Sequence, residues 1–216
     1  MTPAIVLGPA GLAAGLVLAW WLRQQRYRYA TEQQLRTRAV WWVAPVLALA
    51  GALLGLRVGG STMLLATTAA AAVWMTGLAA IDLDVRRLPD RWTLPAYPVL
   101  LGLLAACAVA DDDWRAWWTA VACGAASGLA YLLLALANPA GLGLGDVKLA
   151  GTLGMLTGWF GWPAAFGAFL AAFLIGSIVG VVVALGTGQG GKATFPFGPA
   201  MIAGAFLVVV LAGGSA

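Results

Sequence analysis

The chain alternates long apolar blocks with short polar punctuation. The blocks run over about Ala4–Leu22, Val40–Leu56, Thr62–Ile81, Leu94–Ala110, Trp114–Ala137, Val147–Phe160, Pro163–Leu185 and Pro196–Leu211. About 20 apolar residues are needed for a helix to cross the hydrocarbon core. Most blocks approach that length. Val147–Phe160 falls short, so it is expected to tilt, to sit beside thinned lipid, or to insert partway. No linker or shift in composition divides the chain. The pattern predicts one transmembrane domain over residues 1–216, an all-α polytopic membrane protein built as a bundle of seven to eight transmembrane helices.

Composition narrows the chemistry. The chain is 62% hydrophobic and 9% charged, with mean hydropathy +0.91. A soluble domain carries about 25% charged residues, so this chain belongs in a bilayer. It has no histidine. That excludes Ser-His-Asp and Cys-His nucleophilic sites and zinc sites of the HExxH type. Cys107 and Cys123 both lie inside apolar runs and lack the spacing of a zinc site. They read as small buried hydrophobes, with a disulfide between them left open.

Charge sets the expected topology. The first block has no basic residues ahead of it. Arg23, Arg26 and Arg28 follow it, which argues against a cleavable signal and places the N-terminus outside. Eight crossings counted from there put ten of the twelve basic residues in inside loops, Lys148 and Lys192 among them. Arg57, Arg115 and the acidic run Asp111–Asp113 fall outside. The bias implies a cytoplasm-in layout, with Asp82, Asp84 and Asp146 on the cytoplasmic face. Tryptophans gather near block ends, as amphipathic rings do at the headgroups. Glycines four apart, such as Gly11/Gly15, Gly51/Gly55, Gly124/Gly128, Gly154/Gly158 and Gly176/Gly180, would let helices approach closely.

Two carboxylates stand out, because an ionisable group at membrane depth is a functional-site hypothesis by default. Asp82 ends a long apolar run and precedes Leu83-Asp84-Val85-Arg86-Arg87-Leu88-Pro89-Asp90. Asp84, near two arginines, is either a solvated loop charge or a group steering the site. Asp90 is the expected N-cap of the next helix, with Thr93 as the second choice. Asp146 follows the glycine-rich run Gly141-Leu142-Gly143-Leu144-Gly145. Glycines there let the backbone approach closely, and such backbone survives at membrane depth where it is buried or lines a cavity. A carboxylate on that side-chain-free strand could meet an extended peptide; it could also simply cap the next helix. Lys148 either snorkels to the interface or orients substrate.

These residues resemble the type IV prepilin peptidases, membrane aspartic proteases with a GxGD motif. Ile81-Asp82-Leu83-Asp84 with Leu88-Pro89-Asp90, then Gly143-Leu144-Gly145-Asp146 with Lys148, and last Phe195-Pro196-Phe197-Gly198-Pro199 carry the likeness. It covers about residues 64–211. Longer members of that family carry a zinc-binding insert with paired CxxC motifs, associated with N-methylation. Here a short basic loop over 23–39 stands in its place without cysteine, so methylation is expected to be absent.

The resemblance implies Asp82 and Asp146 as catalytic carboxylates that share a proton and activate water. Gly143, Gly145, Lys148, Asp84, Pro196, Gly198 and Pro199 would bind substrate or support the pair. The glycine run could hold the substrate backbone as an added strand. The implied substrate is a prepilin-like or pseudopilin-like protein with a basic leader ahead of a hydrophobic helix. It would be cut at the cytoplasmic face of a prokaryotic inner membrane. Membrane lipid is the other expected partner; no nucleic acid, metal or cofactor is expected. Two other classes stay open. A signal peptide peptidase-like protease usually has a YD pair, whereas Ile81 precedes Asp82 here. A transporter would use a broken helix and an acid for ion binding, but the chain has no internal repeat.

Overall fold

The computed structural model describes residues 3–58, 61–138, 141–187 and 195–214. Lys192, counted above with the inside loops, lies outside the described residues, as do residues 139–140 of the glycine-rich stretch. Among the described residues the regular structure is helical. The long helices are α1 (Pro3–Arg23), α2 (Val43–Arg57), α3 (Thr62–Val85), α5 (Ala96–Asp111), α6 (Trp114–Ala137), α7 (Leu144–Gly158), α8 (Trp162–Thr187) and α9 (Gly198–Ala212). A single turn, α4 (Asp90–Thr93), precedes α5, and a short 3-10 turn spans Ala30–Glu32. Among the described residues five spans are long and apolar enough to cross a bilayer: α1, α3, α4 with α5, α6, and α8 through Gly186. The protein is an all-α polytopic membrane protein.

Glycines set the closest pairings, α1 with α2, α6 with α7, and α8 with α9. A methyl at Gly11 would strike the Leu47 carbonyl, and one at Gly51 the Leu7 carbonyl. Gly154 lies over Ser127 and Cys123, and Gly204 lies against the backbone of α8 near Ala172. With no side chain in the way, backbones meet and dispersion contacts replace lipid. Gly176 and Gly180 depart from the expected role. They receive the rings of Phe197 and Phe195 instead of a neighbouring helix. Cys107 and Cys123 are both buried and free, so the disulfide left open above is not formed.

α3 and α7 occupy the centre. α3 is capped by Ser61, whose hydroxyl accepts from Leu64 N–H at 3.2 Å. It is buried continuously from Met75 to Asp82. At 1.5 Å per residue, the 15 residues of α7 reach about 22 Å, short of the roughly 30 Å core. The reason is position. Leu149 to Gly158 are all buried, because α5, α6, α8 and α9 pack around them. Thinned lipid is therefore not needed to house this short helix.

The helix ends sort onto two faces. On one, Ser61 Oγ donates to Asp111 Oδ2 at 2.8 Å, and Gly213 packs on Val58. On the other, the end of α3, α4, the starts of α7 and α9, and the 24–42 segment meet through side-chain and backbone bonds. The alternating layout expected from the charges puts Asp82 and Asp146 on one face, and that is where they lie.

Candidate active site

Asp82 sits in the last turn of α3 and is 5% exposed. A carboxylate so deep needs donors. It receives one from the backbone: Gly198 N–H donates to Asp82 Oδ2 at 3.1 Å. Gly198 opens α9, where backbone N–H groups have no intrahelical partner and the helix dipole favours a negative charge. A Cβ at Gly198 would lie 2.7 Å from Asp82 Oδ2, so glycine permits the approach. The turn ahead of it is anchored by rings. Phe197 packs against Phe173, centroids 5.4 Å apart, and against Tyr131 at 6.5 Å. Tyr131 in turn meets Phe169 edge-on at 5.4 Å.

Asp146 is also helical. α7 begins at Leu144, so Gly145 and Asp146 belong to its first turn, while Gly143 is the extended N-cap. The carboxylate on a side-chain-free strand gives way to one on a helix. Its Oδ2 accepts the Gly143 N–H at 3.1 Å, which is the capping reading. The physical reason is the same orphan-donor rule that serves Asp82. Gly145 is needed for packing: a Cβ there would press on Leu88 Cβ at 3.2 Å. Capping does not remove Asp146 from the neighbourhood of Asp82. Gly145 beside it packs on Leu88, six residues past Asp82, so the two carboxylates share this end of the bundle. One end of the bundle thus gathers two carboxylates from α3 and α7, a backbone donor from α9, and a buried tyrosine from α6.

The remaining expected residues divide. Lys148 Nζ pairs with Asp90 Oδ1 at 2.6 Å, so it ties α7 to α4 and is not a lone snorkelling charge. Asp90 is the first residue of α4, with Pro89 as its N-cap. Its carboxylate serves Lys148 instead of capping the helix. Pro199 occupies the first turn of α9, where a missing N–H costs nothing. Pro196 lies in the non-helical stretch leading to that turn.

Asp84 corrects the solvated-loop reading. Its side chain is 4% exposed. Arg28 grips it with two bonds, Nε to Oδ2 and Nη2 to Oδ1, both 2.8 Å. Tyr27 Oη donates to Oδ2 at 2.7 Å, and the Arg38 backbone N–H donates to Oδ1 at 3.4 Å. These bonds hold Asp84 to the 24–42 segment. Burial, then the bond to Asp84, pushes the Tyr27 phenol above its ordinary range. The Arg28 guanidinium is held protonated chiefly by its bonds to Asp84. A second pair, Arg87 with Glu32, fastens the same segment beyond the end of α3. The Arg87 bonds hold the Glu32 carboxyl below its usual range. Sequence reasoning missed this double clamp, and it missed Tyr131. Arg28 and Asp84 are 56 positions apart, and no local pattern joins them.

A helical membrane protein with two carboxylates at one end of its bundle now has relatives to set beside it. The type IV leader peptidase family matches residues 69–185, and the chain belongs to that family. The match takes in both carboxylates and most of the central helices. The chain is 33% identical over 135 residues to a prepilin leader peptidase/N-methyltransferase of Aeromonas salmonicida, covering 58% of this chain and 42% of that protein. It is 32% identical over 136 residues to one of the same name from Burkholderia pseudomallei, covering 60% and 41%. The chain thus matches less than half the length of these relatives. No solved structure is significantly similar to it.

Proposed function

We propose that this chain is a membrane-embedded aspartic endopeptidase that removes the short leader from type IV prepilin-like proteins, with Asp82 and Asp146 as its catalytic pair. The observation that carries the reading is the buried Asp82 carboxylate, bonded to the Gly198 N–H at the end of the bundle where Asp146 sits in the first turn of α7. The names of the relatives supply the substrate class.

The chemistry follows from two neighbouring acids. Two carboxylates that act on one scissile bond do not both ionise freely, so the pair holds one proton. The ionised member takes a proton from water, whose oxygen attacks the scissile carbonyl carbon. The protonated member polarises the carbonyl oxygen and then gives its proton to the leaving amine. Water is thereby split across the C–N bond, and the pair ends with the proton it began with. Either aspartate can start as the base, because a coupled pair titrates as a unit. The Gly198 N–H steadies the Asp82 carboxylate. Gly143 leaves room beside Asp146 for a substrate backbone, and Gly145 supports the pair by letting the start of α7 pack on Leu88. Lys148 holds the start of α7, Asp84 holds the end of α3, and Pro196 and Pro199 shape the turn before α9.

The substrate's apolar helix would lie in the bilayer beside the bundle, with its basic leader at the headgroups. We place the site at the cytoplasmic face of a prokaryotic inner membrane, because the basic loops collect there. The test is cleavage by the purified protein of a prepilin-type substrate, read by intact mass. One cut between the basic leader and the helix is expected; failure on a panel of such substrates would overturn the reading. Orientation is read separately with Gln34→Cys, which an impermeant thiol reagent should label from the cytoplasmic side.

A further inference from the structure

Where α3 ends, a cavity of about 1020 Å³ opens between that end and the 35–42 segment. Arg36, Arg38 and Arg86 line it, together with Trp42 and Leu83. Asp84, the acidic residue in its wall, already meets Arg28 and Tyr27, so its charge is answered inside the protein. Arg36 and Arg38, both exposed, therefore make the cavity electropositive. Guanidinium groups favour phosphate, whose oxygens accept their paired donors.

A second groove, of about 380 Å³, runs along α2, α3 and α9. Its walls are apolar and include Val46, Leu49, Ala79 and Phe206. Trp42 and Leu83 belong to both spaces, so the cationic cavity and the apolar groove adjoin at these two side chains. A free phosphate would use the first space alone. A peptide helix would use the second, with no call for the arginines. A molecule with an anionic phosphate head and a hydrocarbon tail uses both.

We propose that this bipartite site seats one anionic phospholipid, its phosphate between Arg36 and Arg38 and an acyl chain along the α2–α3–α9 groove. The site touches both sides of the Asp82–Gly198 contact. Leu83 follows Asp82, and Pro199, which lines the groove, follows Gly198. A bound lipid packs against that joint. The proposal rests on the membrane placement of the chain and not on proteolysis, so its test needs no substrate.

The test is native mass spectrometry of the full chain, delipidated in mild detergent and then offered phosphatidylglycerol or phosphatidylcholine. The wild type should retain one phosphatidylglycerol in preference to phosphatidylcholine. Each arginine at a membrane surface contributes roughly fivefold, so Arg36→Gln with Arg38→Gln should cut the preference about 25-fold. Both residues are exposed, and a monodisperse elution profile confirms that the variant is folded. Ala203→Trp, which fills the apolar groove, should lower retention of phosphatidylglycerol while leaving both arginines in place. Equal retention of the two lipids by the wild type would overturn the proposal, as would undiminished preference in the double variant. Displacement by inorganic phosphate would replace the lipid with a simple anion. Unchanged retention in Ala203→Trp would remove the acyl chain from the groove.

Discussion

Replacing Gly198 by alanine tests whether the backbone contact to Asp82 matters to catalysis or merely to packing. The added methyl carbon would stand 2.7 Å from Asp82 Oδ2 and 3.4 Å from its Cγ. An ordinary C···O contact is about 3.3 Å, so the carboxylate must retreat by roughly 0.6 Å. That retreat is cheap for the fold, since the atom that moves ends a side chain. Alanine is also the better helix former, by up to about 1 kcal/mol, which offsets part of what the fold loses with the bond, so stability should fall only slightly. The chemistry bears the cost. The 3.1 Å bond from Gly198 N–H is to a charged group, and such bonds contribute about 1.5–3 kcal/mol. Its loss corresponds to roughly 10–100-fold in rate, similar to the penalty for misplacing a reacting group by about 1 Å. The assay is initial-rate leader cleavage beside a thermal melt of the same sample. A Gly198→Ala variant that melts only slightly below wild type yet cleaves within about twofold of it would refute the reasoning.

Other expectations follow from the clamp and the helix pairings. Asp84→Ala leaves the Arg28 guanidinium buried without its counter-charge, which should cost about 3–5 kcal/mol, seen as a large fall in melting temperature; an unchanged melt would mean that water reaches Arg28. Glu32 is held below its usual range by Arg87. A depressed carboxyl stabilises the fold above its unfolded pKa and loses that contribution as pH falls through the folded value. Glu32→Gln should therefore lower the melting temperature by about 2 °C at neutral pH. The gap from wild type should close in acid, and a gap independent of pH would contradict this. Gly154→Ala puts a methyl against Ser127 Cβ at 2.6 Å and Cys123 O at 2.7 Å. Overpacking of this kind costs about 1–3 kcal/mol, and thermal unfolding should show it; normal stability would mean that α6 and α7 separate freely.

The apolar blocks are legible in the sequence because a bilayer demands uninterrupted hydrocarbon, and α3 and α6 follow their blocks closely. Asp82 and Asp146 are legible because carboxylates in such surroundings are rare. The shortness of α7 shows in the sequence, but its enclosure by four helices does not, since burial depends on neighbours far along the chain. Asp146 reads either as a strand residue or as a helix cap, because alternating glycines suit a loop as well as a helix's first turn; the structure takes the cap. The donor to Asp82 is a backbone N–H, which no residue type announces. The Lys148–Asp90 pair spans 58 positions, and the Arg28–Asp84 clamp is equally remote. Tertiary packing alone brings such partners together, so a single sequence read locally cannot.

The central claim is that Asp82 and Asp146 act as one catalytic unit. Cleavage of a prepilin-type substrate by Asp82→Asn, Asp146→Asn and the double variant, each checked for membrane accumulation, tests it most directly. The account predicts that each single variant loses about 1000-fold or more in rate, and that the double variant is no worse than either, as members of one unit behave. A single variant that accumulates normally and cleaves within about tenfold of wild type would contradict it.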